Sequence, residues 1–455
     1  MALKRGMGIM DKNITNEFVN CWSESFNNNS QNSVLMNAIK KNGIDQVTIN
    51  SNKLVENQPV FSEEIKTGKV TDQKKSGRCW MFAGLNVLRQ RIIEKYGIKD
   101  FELSQCYLMF WDKLEKSNYF LESIIDTLDK EIDSRIVMWI LDNPIQDGGQ
   151  WDMFCNLVEK YGVVPKYIMP ETFQSSQSNV MNRLLSLKLR QGALRLRKAH
   201  ESGAAIESVR NEKEKILNEV YAMLCLFLGE PPKKFDFEYR DDDNKFHRYE
   251  NITPISFYHD FVGTDIREYV SVINAPTKDK AFNTSYTVAY LGNVKGGKEI
   301  KYLNVDINTL KDLAVKQLRN EEPVWFGCDV GKMSQSDAGI MDAKLFDYGP
   351  ALNTDFSMSK GDRLDYCESC LTHAMVLTGV NLRDGKPNRW KVENSWGEEK
   401  GTKGYFVMSD SWFDEYTYQV VINKKYLSDD LRRTFEKEPV VLNPWDPMGS
   451  LAIIR

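Results

Sequence analysis

The stretch Gln73-Lys74-Lys75-Ser76-Gly77-Arg78-Cys79-Trp80-Met81-Phe82-Ala83-Gly84-Leu85 decides how this chain of 455 residues is read. From Cys79 to Tyr96 the pattern is apolar almost all round in its first half and amphipathic in its second, and Gly97 stands at the stop position. That predicts a long helix whose N-terminal half is buried. Cys79 then falls in the first turn, where free N–H groups and the helix dipole favour negative charge, lowering a thiol pKa and raising the thiolate fraction. Gly77 lets the backbone turn tightly into the helix, and Gln73 supplies an amide donor upstream for an oxyanion. Position alone suits a buried core cysteine equally well.

A thiolate nucleophile needs a base, and the chain has four histidines. His200 sits in a charged helical segment and reads as a solvated face, His247 lies in the polar run Asp241-Asp-Asp-Asn-Lys-Phe-His and reads as a loop residue, and His259 reads as structural. His373 opens the strand-like run Ala-Met-Val-Leu-Thr-Gly-Val, where a rigid scaffold holds the ring as a general base requires. Taken alone it equally suits a core histidine. An orienting group follows in Arg389-Trp-Lys-Val-Glu-Asn394-Ser395-Trp396-Gly397: the Asn394 oxygen can accept from the imidazole and fix its tautomer, with Trp396 shielding that bond from water.

Taken in order, Gln73…Gly77-x-Cys79-Trp80, His373-Ala374 and Asn394-Ser395-Trp396-Gly397 resemble the papain-like cysteine proteases. The local papain signature is departed from, with Ser76 in place of its first Cys and Arg78 before the nucleophile. Cys and His also stand 373 − 79 = 294 residues apart, against ~130–150 in papain relatives. These departures fit the bleomycin hydrolase and aminopeptidase C family. The chain is similar to it in Gln73–Trp80, Asp147-Gly-Gly-Gln-Trp-Asp152, Pro323-Val-Trp-Phe-Gly-Cys-Asp-Val-Gly331, Leu371-Thr-His-Ala-Met375, Glu393–Gly397 and Trp445-Asp-Pro-Met-Gly449, from about residue 60 onward.

The resemblance implies an α+β fold: a papain-like two-lobe cysteine protease, one lobe helical and one β-rich and barrel-like, with large helical insertions. It implies a cysteine aminopeptidase that removes N-terminal residues from peptides with a free N-terminus, without a cofactor or metal. Cys79 would be the nucleophile, His373 the base, Asn394 its orienter, and Gln73 with the Cys79 N–H the oxyanion hole. Gly148 and Gly149 would run beside the substrate backbone, though they also suit a simple turn, and Trp396 and Ala452 would line the substrate site. Family members are typically cytoplasmic homohexamers whose tail enters the cleft, so that its carboxylate meets the substrate's α-ammonium. Here Ile453-Ile454-Arg455 extends past the usual end near Ala452. These residues are expected to block the cleft until removed, or to be accommodated by a longer groove.

Composition agrees with an enzyme rather than a charge-driven binder. Sixty basic and sixty-four acidic side chains leave a net charge of −4, and 42% hydrophobic content supplies ample core. Eight irregularly spaced cysteines suit reduced thiols in a cytosol better than a disulfide framework. The first twenty residues carry no secretory apolar run, and the longest apolar stretch, Val220–Leu228, is about half of what a bilayer span needs. The expected organisation is an N-terminal arm (1–60, with a short helix at Thr15–Trp22), a helical lobe (61–174), a helical insertion broken near Ser202-Gly203 and suited to oligomerisation (175–230), a β-rich lobe (231–444) and a tail (445–455).

Helical patterns fall at Leu103–Lys116, Leu121–Met138, Trp151–Tyr161 and Leu310–Leu318. Strand patterns fall at Ile252–Phe261, Tyr269–Ile273, Ser285–Leu291, Val324–Val330, His373–Val380, Arg389–Asn394, Tyr405–Met408 and Gln419–Ile422. Two other chemistries are weighed on the same residues. Cys367-x-x-Cys370-x-x-His373 has the makings of a zinc site, but no second ligand pair closes it. The basic run Arg183–Lys198 suits nucleic acid or a solvated helix face, and it carries the alternative reading of a nucleic-acid-binding or assembly protein on a papain-like scaffold.

Overall fold

In the computed structural model, which describes residues 13–451, the first long helix spans Cys79–Tyr96 and ends at Gly97 in the left-handed conformation, as the stop signal implies. The apolar segments read as Leu103–Lys116 and Leu121–Met138 divide differently. One unbroken helix, Gln105–Ile125, starts where the Ser104 hydroxyl accepts from the Tyr107 N–H, and a short one follows at Arg135–Asp142 after a polar turn. Trp151–Tyr161 forms as expected. The 175–230 region folds into two long helices, Asn179–Glu201 and Ile206–Leu228, broken at Ser202-Gly203. Ion pairs Lys188–Glu219 and Arg195–Glu212 run in opposite senses along them, so the two helices are antiparallel.

Those pairs also correct in part the solvated basic face expected over Arg183–Lys198. Arg197 is buried and donates to the Thr127 and Lys130 carbonyls, and Arg190 donates to the Leu141 and Asp142 carbonyls. Lys188 and Arg195 are partly covered, while Arg183, Arg190 and Lys198 stay on an exposed face, so the expected solvated face holds for part of the run. Ile252–Phe261, read as a strand, is a helical turn at Pro254–Phe257 running into a π-helical turn at Tyr258–Val262. Its cause was in view: Thr253 and Ser256 cap each other reciprocally, with Pro254 in the first helical position. His247 is no loop residue but sits in the strand Phe246–Ile252, paired with Phe235–Arg240, where it stacks on Tyr239.

The large mixed sheet centres on Val324–Cys328. Thr417–Asn423 pairs with it on one side and His373–Arg383 on the other, followed by Lys386–Glu393 and Tyr405–Ser409, all antiparallel. Beyond Thr417–Asn423 the order continues through Tyr269–Ile273, Tyr302–Asn304, Thr284–Val288 and Val440–Leu442. One apolar core lies among the helices around Trp80, Phe110, Trp151 and Phe154. A second lies on the sheet around Phe326, Met375, Trp390 and Phe413. Helices Ile307–Arg319, Lys360–Asp365, Asp410–Tyr416 and Asp429–Glu436 interrupt the strands, more than the single one expected.

Residues 13–53, read as an arm with one short helix, form helices Asn16–Asn27, Ser30–Asn42 and Ile44–Thr48. They make a compact unit with Lys344–Ser357, through an Ile49–Phe346 bridge and a hydrogen bond from the Tyr348 hydroxyl to Asp45. The rest of the chain is the second unit.

Within that second unit, the Arg89 guanidinium on the Cys79 helix meets the Glu393 carboxylate at 2.8 Å and the Lys69 carbonyl at 2.7 Å, with both charged side chains almost fully buried. Replacing Arg89 by Met strands the Glu393 charge away from water. We expect a loss of about 3 kcal/mol in urea unfolding, partly recovered in Arg89→Met/Glu393→Gln.

Candidate active site

Cys79 is the first residue of its helix, and Arg78 before it provides no side-chain cap, so the N–H groups of Cys79 and Trp80 stay free of the helix ladder. Both reach towards the sulfur, as does the Ala374 N–H, whose nitrogen lies 3.4 Å from Sγ. The lowered thiol pKa expected from this position does not result. Burial pushes the Cys79 thiol up to about 12 and outweighs those three donors. Burial likewise pushes His373 down to about 4, against its hydrogen bond to Asn394, which raises it. Each shift reflects one charge made alone in a dry site. A proton passing from Cys79 to His373 makes thiolate and imidazolium together, and their attraction offsets much of that burial cost.

The tautomer is fixed by the chain. Asn394 Oδ1 accepts from the Ser395 backbone N–H at 2.8 Å, which can only donate, so this atom is the oxygen and its 2.9 Å partner, His373 Nε2, carries the proton. Nδ1 is then the basic nitrogen, buried and without a hydrogen-bond partner of its own. Antiparallel pairing makes this possible: His373 begins one strand and Asn394 follows the end of its neighbour. The Trp396 ring lies 4.9 Å from the imidazole, and Gly397, in the left-handed region at φ 78°, turns the chain away where a side chain would strike Asp72.

Gln73 donates through Nε2 to the Ser76 carbonyl at 2.6 Å and accepts at Oε1 from the Ser395 hydroxyl at 2.6 Å, which leaves its second Nε2 proton for a ligand. Ser395 thus aims the amide, a role the sequence reading missed although it quoted the residue. Gly149 has a use of its own, since a Cβ there would stand 2.4 Å from the Trp80 ring. Trp80 Nε1 donates to the Asp147 carbonyl at 2.7 Å, and the buried Lys116 ammonium donates to the carbonyls of Gln146 and Gly148. The Gly148-Gly149 segment is therefore laid against the residue after Cys79.

The tail reaches the same place. Asp446 pairs with the buried Lys280 ammonium at 2.8 Å, Arg135 covers the Trp445 ring, and the Met448 carbonyl accepts from the Tyr302 hydroxyl. The Ser450 carbonyl accepts from Gln150 at 2.8 Å while its hydroxyl donates to the Leu371 carbonyl at 2.8 Å, next to Gly149 and two residues before His373 respectively. Ala452 and Ile453–Arg455 lie outside the described residues. Next to the tail, Trp396, Thr372, Asp329, Ser369 and Cys370 line a cavity of about 610 Å³.

A buried free thiol, an imidazole of fixed tautomer, a shielded orienting amide and a spare amide proton are the parts needed for acyl transfer to sulfur. Residues 13–449 match the profile of the peptidase C1-like family. The chain belongs to that family. It is 53% identical over 444 residues to a protein named aminopeptidase C from Listeria monocytogenes, covering 98% of this chain and 100% of that one. It is 47% identical over 446 residues to an aminopeptidase C from Lactobacillus helveticus, covering 97% and 99%. The crystal structure of PepW from Lactobacillus rhamnosis HN001 superposes with a TM-score of 0.96 at 52% identity, over 97% of this chain and 100% of that one. The papain-like α+β fold implied by the sequence is thereby established.

The zinc arrangement does not assemble. His373 Nε2 is committed to Asn394, Cys370 lies against the Ser450 hydroxyl, and no group of three or more His, Cys, Asp or Glu side chains placed to hold a metal ion occurs among the described residues. His200 and His259 are both exposed.

Because Gly149 and Trp80 leave no room between them, Gly149→Ala should cost about 1–3 kcal/mol by overpacking. It should also slow alkylation of Cys79 by iodoacetamide, since Trp80 follows it in the chain. Unchanged values of both would place the close contact elsewhere.

Proposed function

We propose that this member of the peptidase C1-like family is a cysteine aminopeptidase that hydrolyses peptide bonds at free N-termini by acyl-thioenzyme chemistry. The observation that carries the exopeptidase reading is Ser450, tied to Gln150 on one side and Leu371 on the other, which holds the tail beside the segments that carry Gly149 and His373. The two aminopeptidase C relatives support the same reading by name and by near-complete coverage.

In this reading Cys79 passes its proton to His373 Nδ1 and the thiolate attacks the carbonyl carbon of the scissile bond. The oxyanion is received by the Cys79 N–H and the free Nε2 proton of Gln73. Imidazolium then protonates the leaving amine as the C–N bond breaks. Water, deprotonated by the neutral imidazole, attacks the thioester and releases the amino acid with the thiol restored. Trp396 keeps the His373–Asn394 bond dry throughout, and Gly148-Gly149 runs beside the substrate backbone.

The finer readings extend this one: a cytoplasmic enzyme of the bleomycin hydrolase type, assembled as a homohexamer through the insertion. The insertion helices expose Leu184, Leu187, Leu194 and Leu226, apolar surface that suits burial against further copies of the chain. No helix among the described residues is long and apolar enough to cross a membrane.

Cys79→Ala and His373→Ala should each remove nearly all turnover of amino-acid amides. Gln73→Ala should lose on the order of 10²–10³ in kcat. Asn394→Ala should keep measurable activity with a displaced pH profile. The Asn394 bond raises the imidazole pKa, so without it the neutral imidazole that accepts the Cys79 proton persists to lower pH and the acid limb of kcat/KM moves down. Chelators should leave activity intact. An inactive Asn394→Ala with an unmoved limb would exclude the orienting role.

Deleting residues 451–455 should weaken the preference for free amines and admit N-blocked peptides, and an undiminished preference would remove the tail as the ruler. Mass spectrometry should find the tail shortened in active enzyme and intact in Cys79→Ala if the site trims it. Native mass in solution reads the assembly: six copies are expected, and a monomer would overturn that proposal.

A further inference from the structure

Asp147 is buried and its carboxylate meets four donors. Oδ2 accepts from the Gly77 N–H at 2.9 Å and from the Ser178 hydroxyl, while Oδ1 accepts from the Lys113 ammonium at 2.6 Å and the Asn182 amide at 2.8 Å. These partners come from three separate parts of the chain. Gly77 lies in the turn that delivers Cys79, Lys113 on the helix Gln105–Ile125, and Ser178 and Asn182 at the start of the insertion helix Asn179–Glu201. Burial by itself would raise the Asp147 pKa. The Lys113 charge and the bonds from Lys113, Ser178 and Gly77 overcome that and hold the group ionised, well below the usual carboxylate range.

Two further ties run along the same seam. The Lys75 N–H donates to the Ser176 carbonyl at 3.0 Å, and the buried Arg78 guanidinium makes a bidentate pair with Glu171 at 3.0 and 2.6 Å while Ser175 donates to that carboxylate. The turn from Lys75 to Arg78 is closed on itself by Gln73–Ser76 and Arg78–Ser76 hydrogen bonds, and it is anchored outward to Glu171, to Ser176 at the base of the insertion and to Asp147. All eight cysteines are free, so no disulfide shares the task. Asp147 touches the turn, the Gln105–Ile125 helix and the insertion together.

We propose that Asp147 is a positioning residue through which the base of the insertion holds the Cys79 turn, and that turnover at each site depends on its carboxylate. This rests on the reading of Cys79 as the nucleophile. The oxyanion donor at Cys79 is a backbone N–H two residues beyond Gly77, so a shift of the turn by a fraction of an ångström moves donor and sulfur together. An amide at position 147 would turn one acceptor oxygen into a donor facing donors, because every partner of this side chain donates.

The test measures kcat per titrated Cys79, using a stoichiometric thiol alkylator with Cys79→Ala as the blank, on the full chain. Asp147→Asn should lower kcat per site roughly 10- to 100-fold, the scale of a small misplacement of reacting groups, with KM changed less than about threefold. Asn182→Ala should lower it a few-fold alone and by nothing further in the Asp147→Asn background, because it acts through that carboxylate. A purely structural role would reduce the number of titratable sites and leave turnover per site unchanged. That result, or an Asn182→Ala cost equal in both backgrounds, overturns the proposal.

If Asp147→Asn yields no titratable Cys79, then Ser178→Ala and Asn182→Ala decide, since both keep the carboxylate and Lys113. Turnover per site should fall in each and fall less than additively in the pair, and unchanged turnover overturns the proposal. Retained activity in Cys79→Ala is a different failure, that of the nucleophile reading itself.

Discussion

The antiparallel pairing of His373–Arg383 with both Val324–Cys328 and Lys386–Glu393 constrains everything at the site. It sets the start of one buried strand beside the end of the next, so His373 and Asn394 meet although 21 residues separate them. The Cys79 helix then needs only to lay its first turn across the same strand, where the Ala374 N–H reaches the sulfur. Strand pairing and the bond from the Ala374 N–H to Cys79 Sγ thus bring thiol, imidazole and amide together, and both lie in the dry interior where bond geometry is costly to change.

Dryness makes the other half of the design electrostatic. Lys113, Lys116, Asp112 and Asp147 form a buried cluster behind Gly148-Gly149, and Arg78 with Glu171 forms another beside the Cys79 turn. Removing such groups from water costs several kcal/mol per ion, which is recovered only because nearly every lone pair and proton is matched. The return is directional: paired charges fix the spacing between the Cys79 turn, the glycine segment and the insertion, a task that a covalent cross-link could do in an oxidising compartment. The same dryness opposes an isolated thiolate or imidazolium, so charge at the site is expected to arise as a pair.

How much of this could be read in the residues differs from element to element. Cys79–Tyr96, Trp151–Tyr161, the break at Ser202-Gly203 and most of the strands carried their own signals in apolar spacing and glycine stops. The turn at Pro254–Phe257 was misread because a short apolar run suits strand and helix alike, and only the Thr253–Ser256 cap decides between them. The motifs bearing Cys79, His373, Asn394 and Gln73 were legible. The thiol's raised pKa was not, because it depends on how completely other elements cover the sulfur.

By itself the sequence determined the family and the α+β class and offered the candidate reacting side chains, because each is a matter of chemical type at a fixed spacing, whereas the steric need for glycine at 149 and 397 shows only in the fold. The tertiary structure alone decided what those groups cost and who holds them. Ser395 aiming Gln73, Lys116 drawing back the Gly148 carbonyl, Asp147 joining three distant segments and Ser450 spanning Gln150 and Leu371 are all pairings between residues far apart in the chain. Local sequence carries no record of such partners: burial and hydrogen-bond geometry are set by packing between elements, and a buried aspartate reads in one dimension like any aspartate in a turn.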